Sequence, residues 1–160
     1  MLAGIVLDTK NFSIRTGERT FDAAAFFRRL GADTAEVKKY MQSDMTHAVE
    51  KYRVLQEVKL YREGIAIVAR PEETDRIVAA QAADDLLNIS GVQASFVAFA
   101  TADGGVVISA RSIGEVNVQL ILEKMGGGGN KSAAGVQIEN MELNEALKTL
   151  CASIDEFLDN

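Results

Sequence analysis

Hydrophobic and polar positions along the chain predict two stretches of different character. In the first 55 residues, apolar side chains recur mostly at helical spacing, whereas from about residue 56 short apolar runs alternate with turns. The second pattern predicts the order strand, strand, helix, strand, strand, helix, strand, helix. This order is typical of an α/β fold in which a sheet with hairpins is flanked by helices.

The first stretch is predicted to hold one strand and three helices. The continuous apolar run from Leu2 to Leu7 indicates a buried strand, and Asp8 then lies at its carboxyl end, where open α/β sheets usually place functional groups. A strand that begins at residue 2 leaves an unpaired edge, so we expect this chain to be a segment of a longer protein. The helices are predicted from a cap at Thr20, a cap at Asp33 and the apolar spacing of Met45, Ala48, Val49 and Tyr52.

Turns that contain glycine or proline divide the second stretch into five predicted strands. The strands are Glu57 to Tyr61, Ile65 to Ala69, Val92 to Ala100, Val106 to Arg111 and Ala133 to Glu139. The predicted helices are one capped by Thr74 with a stripe at Ala79, Ala82, Ala83 and Leu86, one from Glu115 to Met125, and a closing one with Leu143, Leu147, Leu150, Ile154 and Phe157. Alternation along the fourth strand places Ser109 and Arg111 on one face.

A run of four glycines, Gly126, Gly127, Gly128 and Gly129, follows the second of these helices and precedes Asn130. Because glycine loses more backbone entropy on folding than other residues, such a run indicates a place where side chains are excluded. Its N–H groups can form an anion-binding nest, or the run can be a long helix-terminating turn. The Walker and dinucleotide-binding patterns do not fit, because Asn130 stands where a Walker loop needs glycine and the run follows a helix.

Composition and charge narrow the range of functions. An apolar content of 48% in 160 residues is enough for a core, and the net charge of −6 argues against a surface for long nucleic acids. The single cysteine, Cys151, and the single histidine, His47, exclude an internal disulfide, a cysteine-based zinc site and a multi-histidine site. We expect a reducing, cytoplasmic compartment, and we expect His47 to be exposed to solvent.

Two side chains have chemistry suited to a phosphate or a metal ion. Arg111 is a planar donor fork at the end of a strand, which suits a phosphate, although a salt bridge with one of the 23 acidic residues is the alternative. Asp8 offers oxygen ligands to a hard metal ion, but one carboxylate is too few for a metal site.

Several segments taken together resemble the DHH phosphoesterase family. Residues 4–9 (Gly-Ile-Val-Leu-Asp-Thr) with Phe12 are similar to the fourth motif of its catalytic lobe. Residues 107–112 (Val-Ile-Ser-Ala-Arg-Ser), the four glycines and residues 133–135 (Ala-Ala-Gly) are similar to the associated DHHA1 substrate domain. The amino-acid sequences of residues 70–72 and 81–84 most resemble the C-terminal end of the GdpP (YybT) type. The resemblance assigns residues 1–55 to a helical remnant of the DHH lobe and residues 56–160 to a DHHA1-like mixed β-sheet flanked by helices.

The resemblance implies a membrane-anchored bacterial phosphodiesterase that hydrolyses cyclic di-AMP to pApA with two Mn²⁺ ions. Asp8 would be the last metal ligand of the DHH lobe, and Arg111, with Ser109 and Ser112 nearby, would bind a substrate phosphate. The remaining implied contacts to the nucleotide are Gly126, Gly127, Gly128, Gly129 and Asn130. The expected partners are the missing DHH lobe, cyclic di-AMP or a related dinucleotide, and a second copy of the chain in a possible homodimer.

Two departures from the family pattern modify this expectation. The Asp-His-His motif and the other upstream metal motifs are absent from this chain, so we expect it to be inactive in isolation. The family usually has histidine after its glycines, whereas Asn130 cannot carry a positive charge, so binding is weakened unless Lys131 compensates. The alternatives are a non-catalytic nucleotide-binding module and a lobe of an enzyme that cleaves short oligonucleotides.

Overall fold

Seven helices and six strands are present in the computed structural model, which describes residues 1–159. The helices are α1 (Leu2–Asp8), α2 (Glu18–Arg29), α3 (Thr34–Tyr40), α4 (Met45–Gln56), α5 (Arg76–Leu86), α6 (Val118–Glu123) and α7 (Leu143–Leu158). The strands are β1 (Lys59–Arg62), β2 (Ile65–Arg70), β3 (Ala94–Ala100), β4 (Val106–Ser112), β5 (Gly128–Asn130) and β6 (Ala133–Ile138). They divide into two compact units, of which the first is Met1–Asp44 and the second begins at Met45.

The N-terminal unit contains α1, α2 and α3. The predicted strand from Leu2 to Leu7 is wrong, because these residues form α1, and Asp8 ends a helix rather than a strand. A short apolar run has no period that separates a helix from a buried strand, and here only one side of it is covered: Leu2 is buried, whereas Leu7 is 69% exposed.

The caps of the next two helices differ in how well the sequence predicted them. Thr20 is not the N-cap of α2, because the helix begins after Gly17 and the Thr20 hydroxyl accepts a hydrogen bond from the Gly17 N–H. The apolar stripe of α2 is largely exposed, with no buried residue in the helix. Asp33 caps α3 as predicted, since its carboxylate accepts a hydrogen bond from the Ala35 N–H at 2.9 Å.

The second unit is built on one six-stranded sheet in the order β1-β2-β3-β4-β6-β5. β2 and β3 are parallel and are joined through α5, and all other neighbouring strands are antiparallel. The predicted α/β class with a mixed sheet is therefore confirmed. Alternation along the strands gives the sheet two apolar faces, which explains why helices cover it on both sides.

Each face of the sheet has its own buried cluster. On one side, α4 and α5 cover Ala66, Val68, Val97, Phe99 and Val107. On the other side, α6 and α7 cover Ile65, Ile67, Phe96, Ala98, Ile108, Ala110 and Val136. The predicted α5 stripe of Ala79, Ala82, Ala83 and Leu86 is fully buried, and its alanines allow the helix backbone to pack close to the sheet.

The predicted core face of α4 is wrong. Met45, Val49 and Tyr52 are 78%, 43% and 64% exposed, whereas Val54 is fully buried. The apolar spacing indicated the helix correctly, but α4 contacts the core through Val54, Leu55 and the following Val58. His47 is exposed, as predicted.

Polar side chains set the starts of two helices later than the sequence predicted. Asp75, not Thr74, caps α5, because its carboxylate accepts hydrogen bonds from the N–H groups of Ile77 and Val78. Asn117 similarly caps α6, which runs from Val118 to Glu123 rather than from Glu115 to Met125.

The compact units divide between Asp44 and Met45, so α4 belongs with the sheet. The assignment of residues 1–55 and 56–160 to two family lobes stays a prediction. Within residues 1–159, the structure contains no helix with the length and apolar content that crossing a bilayer requires.

Candidate functional site

One surface of the sheet brings several predicted site residues together. In the strand register, Arg111 of β4 lies opposite Ala133 of β6, which lies opposite Asn130 of β5. The next row of the same face holds Ser109, Gly135 and Gly128. We call this surface, on the α5 side of β4, β6 and β5, the glycine shelf. Gly128, Asn130 and Gly135 are exposed, so the shelf is open to solvent.

Arg111 lies at the inner edge of the glycine shelf, beside α5. Its Nε is 3.2 Å from Oδ1 of Asp84, and its Nη1 donates a hydrogen bond to the Ala110 carbonyl at 2.9 Å. The Arg111 side chain is 20% exposed to solvent. The ion pair that the sequence analysis left as an alternative is therefore present. A guanidinium has five N–H donors, so these two contacts do not use up the capacity of Arg111 to donate to a phosphate oxygen.

Ser112 points away from Arg111. It is 5% exposed, its hydroxyl donates to the Lys131 carbonyl at 2.9 Å, and its N–H donates to the Ser132 carbonyl. Alternation along β4 places it on the α6 and α7 side, opposite to Ser109 and Arg111. Ser112 thus ties the end of β4 to the turn between β5 and β6, and its predicted substrate contact stays a prediction.

The glycine run has two structural parts. Gly126 has φ +83° and donates to the Glu123 carbonyl, and Gly127 donates to the Leu122 carbonyl at 2.9 Å. These two bonds end α6 in the manner of a Schellman motif, so the two N–H groups are already occupied. Gly128 and Gly129 belong to β5, so the second half of the predicted loop is instead an edge strand.

A side chain at Gly127 would collide with β6. A Cβ there would lie 2.7 Å from the Gly135 carbonyl oxygen and 2.8 Å from Cβ of Val136. Both distances are shorter than carbon contacts in folded proteins allow. The close approach of α6 to β6 therefore explains this glycine without a ligand.

Asn130 closes the turn between β5 and β6 through its side-chain oxygen. Oδ1 accepts hydrogen bonds from the Ser132 N–H, the Ser132 hydroxyl and the Ala133 N–H, at 3.0, 3.1 and 3.0 Å. From the sequence, Asn130 was expected only to contact the nucleotide. The signal that this expectation did not use is the spacing of asparagine two residues before serine, which is typical of an Asx-turn.

Asp8 is not part of a metal site within the described residues. Its carboxylate is 73% exposed and lies 3.8 Å from Nη1 of Arg15. Nowhere in residues 1–159 do three potential His, Cys, Asp or Glu ligands cluster. These donors alone do not fit the predicted Mn²⁺ pair, and we derive no chemical step through it.

The groups with perturbed pKa values lie elsewhere, where β1 meets α7. The Tyr61 hydroxyl donates to Oδ2 of Asp155 at 2.8 Å, and this bond raises the pKa of Tyr61 to about 12. Burial raises the pKa of the Cys151 thiol above its ordinary value. Arg62 donates to both Asp155 and Asp159, so this cluster joins the edge strand β1 to α7.

Residues 63–160, which include the glycine shelf, match the family model of the DHHA1 domain. The chain therefore belongs to the DHHA1 domain family, and the resemblance found in the sequence is confirmed.

Its relatives include two cyclic di-AMP phosphodiesterases. The chain is 46% identical over 159 residues to the cyclic-di-AMP phosphodiesterase PdeA of Listeria monocytogenes, covering 98% of this chain and 24% of the relative. It is 44% identical over 163 residues to GdpP of Bacillus subtilis, covering 99% and 25%. The chain thus spans about a quarter of the length of these curated relatives.

The fold is also shared with a solved structure of low sequence identity. An exopolyphosphatase-related protein from Bacteroides fragilis superposes with a TM-score of 0.84 at 20% identity, over 96% of this chain and 48% of that protein. This likeness supports the fold assignment alone.

Proposed function

We propose that this chain is the substrate-binding lobe of a bacterial phosphodiesterase that converts cyclic di-AMP to pApA. The observation that carries the proposal is the identity of 46% and 44% to two cyclic di-AMP phosphodiesterases, which extends over 98% and 99% of the chain. The aligned region includes strand β4, which carries Arg111, and the glycine run. The whole of the glycine shelf therefore lies within it.

In this proposal, Arg111 binds a phosphate of the dinucleotide through its guanidinium group. Its ion pair with Asp84, at 3.2 Å, holds the guanidinium in place, and a preorganised fork loses less side-chain entropy on binding than a mobile one. Ser109 shares the face and supplies a hydroxyl, and the glycines of β5 and β6 leave room for the nucleotide to approach the backbone.

The lobe binds the substrate but does not cleave it. Asp8 supplies one carboxylate, and the remaining ligands of the expected Mn²⁺ pair would come from a DHH lobe outside this chain. We therefore propose that the isolated chain is inactive and that hydrolysis requires the longer protein.

Calorimetric titration of this chain with cyclic di-AMP and with pApA tests the proposal. Arg111→Gln is expected to weaken binding about tenfold or more, because a charged hydrogen bond contributes about 1.5 to 3 kcal/mol. Arg53→Gln is the matched control, since Arg53 is an exposed arginine of α4 in the same unit.

Two results would contradict the proposal. If the unmodified chain binds neither dinucleotide, the substrate assignment fails. If Arg111→Gln and Arg53→Gln bind equally well, the assignment of Arg111 fails. Binding without any hydrolysis in the longer protein would favour the alternative of a non-catalytic nucleotide-binding module.

A further inference from the structure

A second arginine faces the glycine shelf from α5. Arg76 is exposed, and its Nη2 donates a hydrogen bond to Oε1 of Gln137 at 2.8 Å. Gln137 belongs to β6, on the same face as Gly135. The Arg76 side chain therefore reaches from the helix across to the strand next to β4.

Arg76 and Arg111 lie at opposite ends of the shelf. Gln137, the partner of Arg76, lies opposite Val107 in the strand register, four positions along β4 from Arg111. On α5, Arg76 and Asp84, the partner of Arg111, are eight positions apart, or about 12 Å along the helix axis. The two guanidinium groups thus mark the two ends of the same stretch of sheet.

Among the described residues, the strand positions between the two arginines are small and uncharged. Ser109, Gly135 and Ala133 form this part of the face, and Asp84, at the Arg111 end, is paired with Arg111. A ligand that lies along the shelf would meet small, uncharged residues in the middle and a cation at each end.

The charge of Arg76 is not compensated by its partner. Gln137 is a neutral amide, so the hydrogen bond orients the guanidinium without cancelling its charge. In the described part of the chain, the Arg76 guanidinium pairs with no carboxylate. In a protein with a net charge of −6, an oriented and uncompensated cation is suited to an anionic ligand.

We propose that Arg76 is a second anion-binding residue, so that the glycine shelf takes ligands with two phosphoryl groups, one at each arginine. The nucleotide identity of the ligand rests on the proposed function above, whereas the second anion contact rests on the geometry of Arg76. Arg111 binds one phosphate and Arg76 binds the other, which distinguishes a dinucleotide from a mononucleotide.

The test is calorimetric titration of this chain and three variants, Arg76→Gln, Arg111→Gln and Arg53→Gln, with three ligands. Cyclic di-AMP carries two phosphates, AMP carries one, and inorganic tripolyphosphate is an anion without a nucleoside. Circular dichroism of each variant checks that the fold is retained.

Arg76→Gln is expected to weaken binding of cyclic di-AMP and of tripolyphosphate about tenfold, as the loss of one charged hydrogen bond predicts. Its affinity for AMP should stay within about twofold of the unmodified chain, because the single phosphate is held by Arg111. Arg111→Gln should weaken binding of all three ligands, and Arg53→Gln of none.

The possible failures separate the two proposals. If Arg76→Gln binds cyclic di-AMP and tripolyphosphate as Arg53→Gln does, the second contact is overturned, while a loss in Arg111→Gln keeps the proposed function. If tripolyphosphate binds in a manner that depends on Arg76 but cyclic di-AMP does not bind, the second contact holds and the proposed function falls. If neither cyclic di-AMP nor tripolyphosphate binds to the unmodified chain, both proposals are overturned.

Discussion

Tyr61 is held by a hydrogen bond from its hydroxyl to Asp155, and this contact gives the protein a specific response to alkaline pH. The pKa of Tyr61 is raised to about 12, chiefly by that bond, from the ordinary value of about 10. Because the folded-state pKa exceeds the unfolded-state value, the stabilisation is fully present below pH 10 and is lost as the pH rises through 12.

Titration of phenolate absorbance measures this shift directly. Among the three tyrosines, one is expected to titrate near pH 12 in the folded protein, and Tyr61→Phe should remove that transition. Asp155→Asn should move it back towards pH 10, because the carboxylate acceptor is replaced by a neutral amide. A Tyr61 transition that stays near 12 in Asp155→Asn would show that another group causes the shift.

At the scale of elements, the contact between α6 and the β5–β6 hairpin depends on a missing side chain at Gly127. Gly127→Ala is expected to lower the free energy of unfolding by about 1 to 3 kcal/mol, because its Cβ would overlap the Gly135 carbonyl and Val136. Gly128→Ala is the matched control, since a Cβ at Gly128 would meet no atom within 4 Å. Urea denaturation of both variants measures the difference, and equal midpoints would contradict the steric account.

A clear period predicted the type of an element more reliably than its buried side, since it indicated helix α4 but the stripe at Met45, Val49 and Tyr52 is exposed. The alanine stripe of α5 and the alternation of β4 were both correct, since each pattern reflects which side of the element is buried. The strand predicted from the apolar run that begins at Leu2 was wrong, because this run has no period that separates a strand from a helix.

Much of the site depends on pairings that local sequence does not encode. Ser109 and Arg111 were placed on one face correctly by alternation. The hydrogen bond from Arg76 to Gln137 joins residues that are 61 positions apart, so no local pattern predicts it. Asn130 was predicted to be a site residue, which stays a prediction, and its acceptor role in the β5–β6 turn is seen only in the folded structure.

At the scale of the whole molecule, the hydrophobic core belongs to the second unit. Both buried clusters begin at Val54 or later in the chain, and Leu2 is the buried apolar residue of the N-terminal unit. The loss of residues 1–44 therefore removes almost no core.

A chain that begins at Met45 is expected to fold, with a thermal midpoint within about 5 °C of the 160-residue chain. Circular dichroism melting curves measure this. A chain that lacks residues 143–160 is the contrasting case, because it loses Ala146, Leu150 and Ile154 from the core, and it should not give a cooperative transition. If the chain from Met45 is unfolded, the core does depend on the N-terminal unit.

The sheet order also has a consequence for the sequence of events in folding. β3 and β4 form an antiparallel pair at the centre of the sheet and are joined by residues 101–105 alone, whereas the parallel pairing of β2 with β3 must enclose residues 71–93. Closing the shorter loop costs less chain entropy. The β1–β2 and β5–β6 hairpins have shorter loops still, but β1 and β5 are exposed along their whole length, whereas β3 is buried. The β3–β4 hairpin should therefore be the nucleus on which the other strands assemble. Val97→Ala should then slow refolding in stopped-flow experiments, whereas Val136→Ala in β6 should mainly speed unfolding; the opposite pattern would place the nucleus at the β6 side of the sheet.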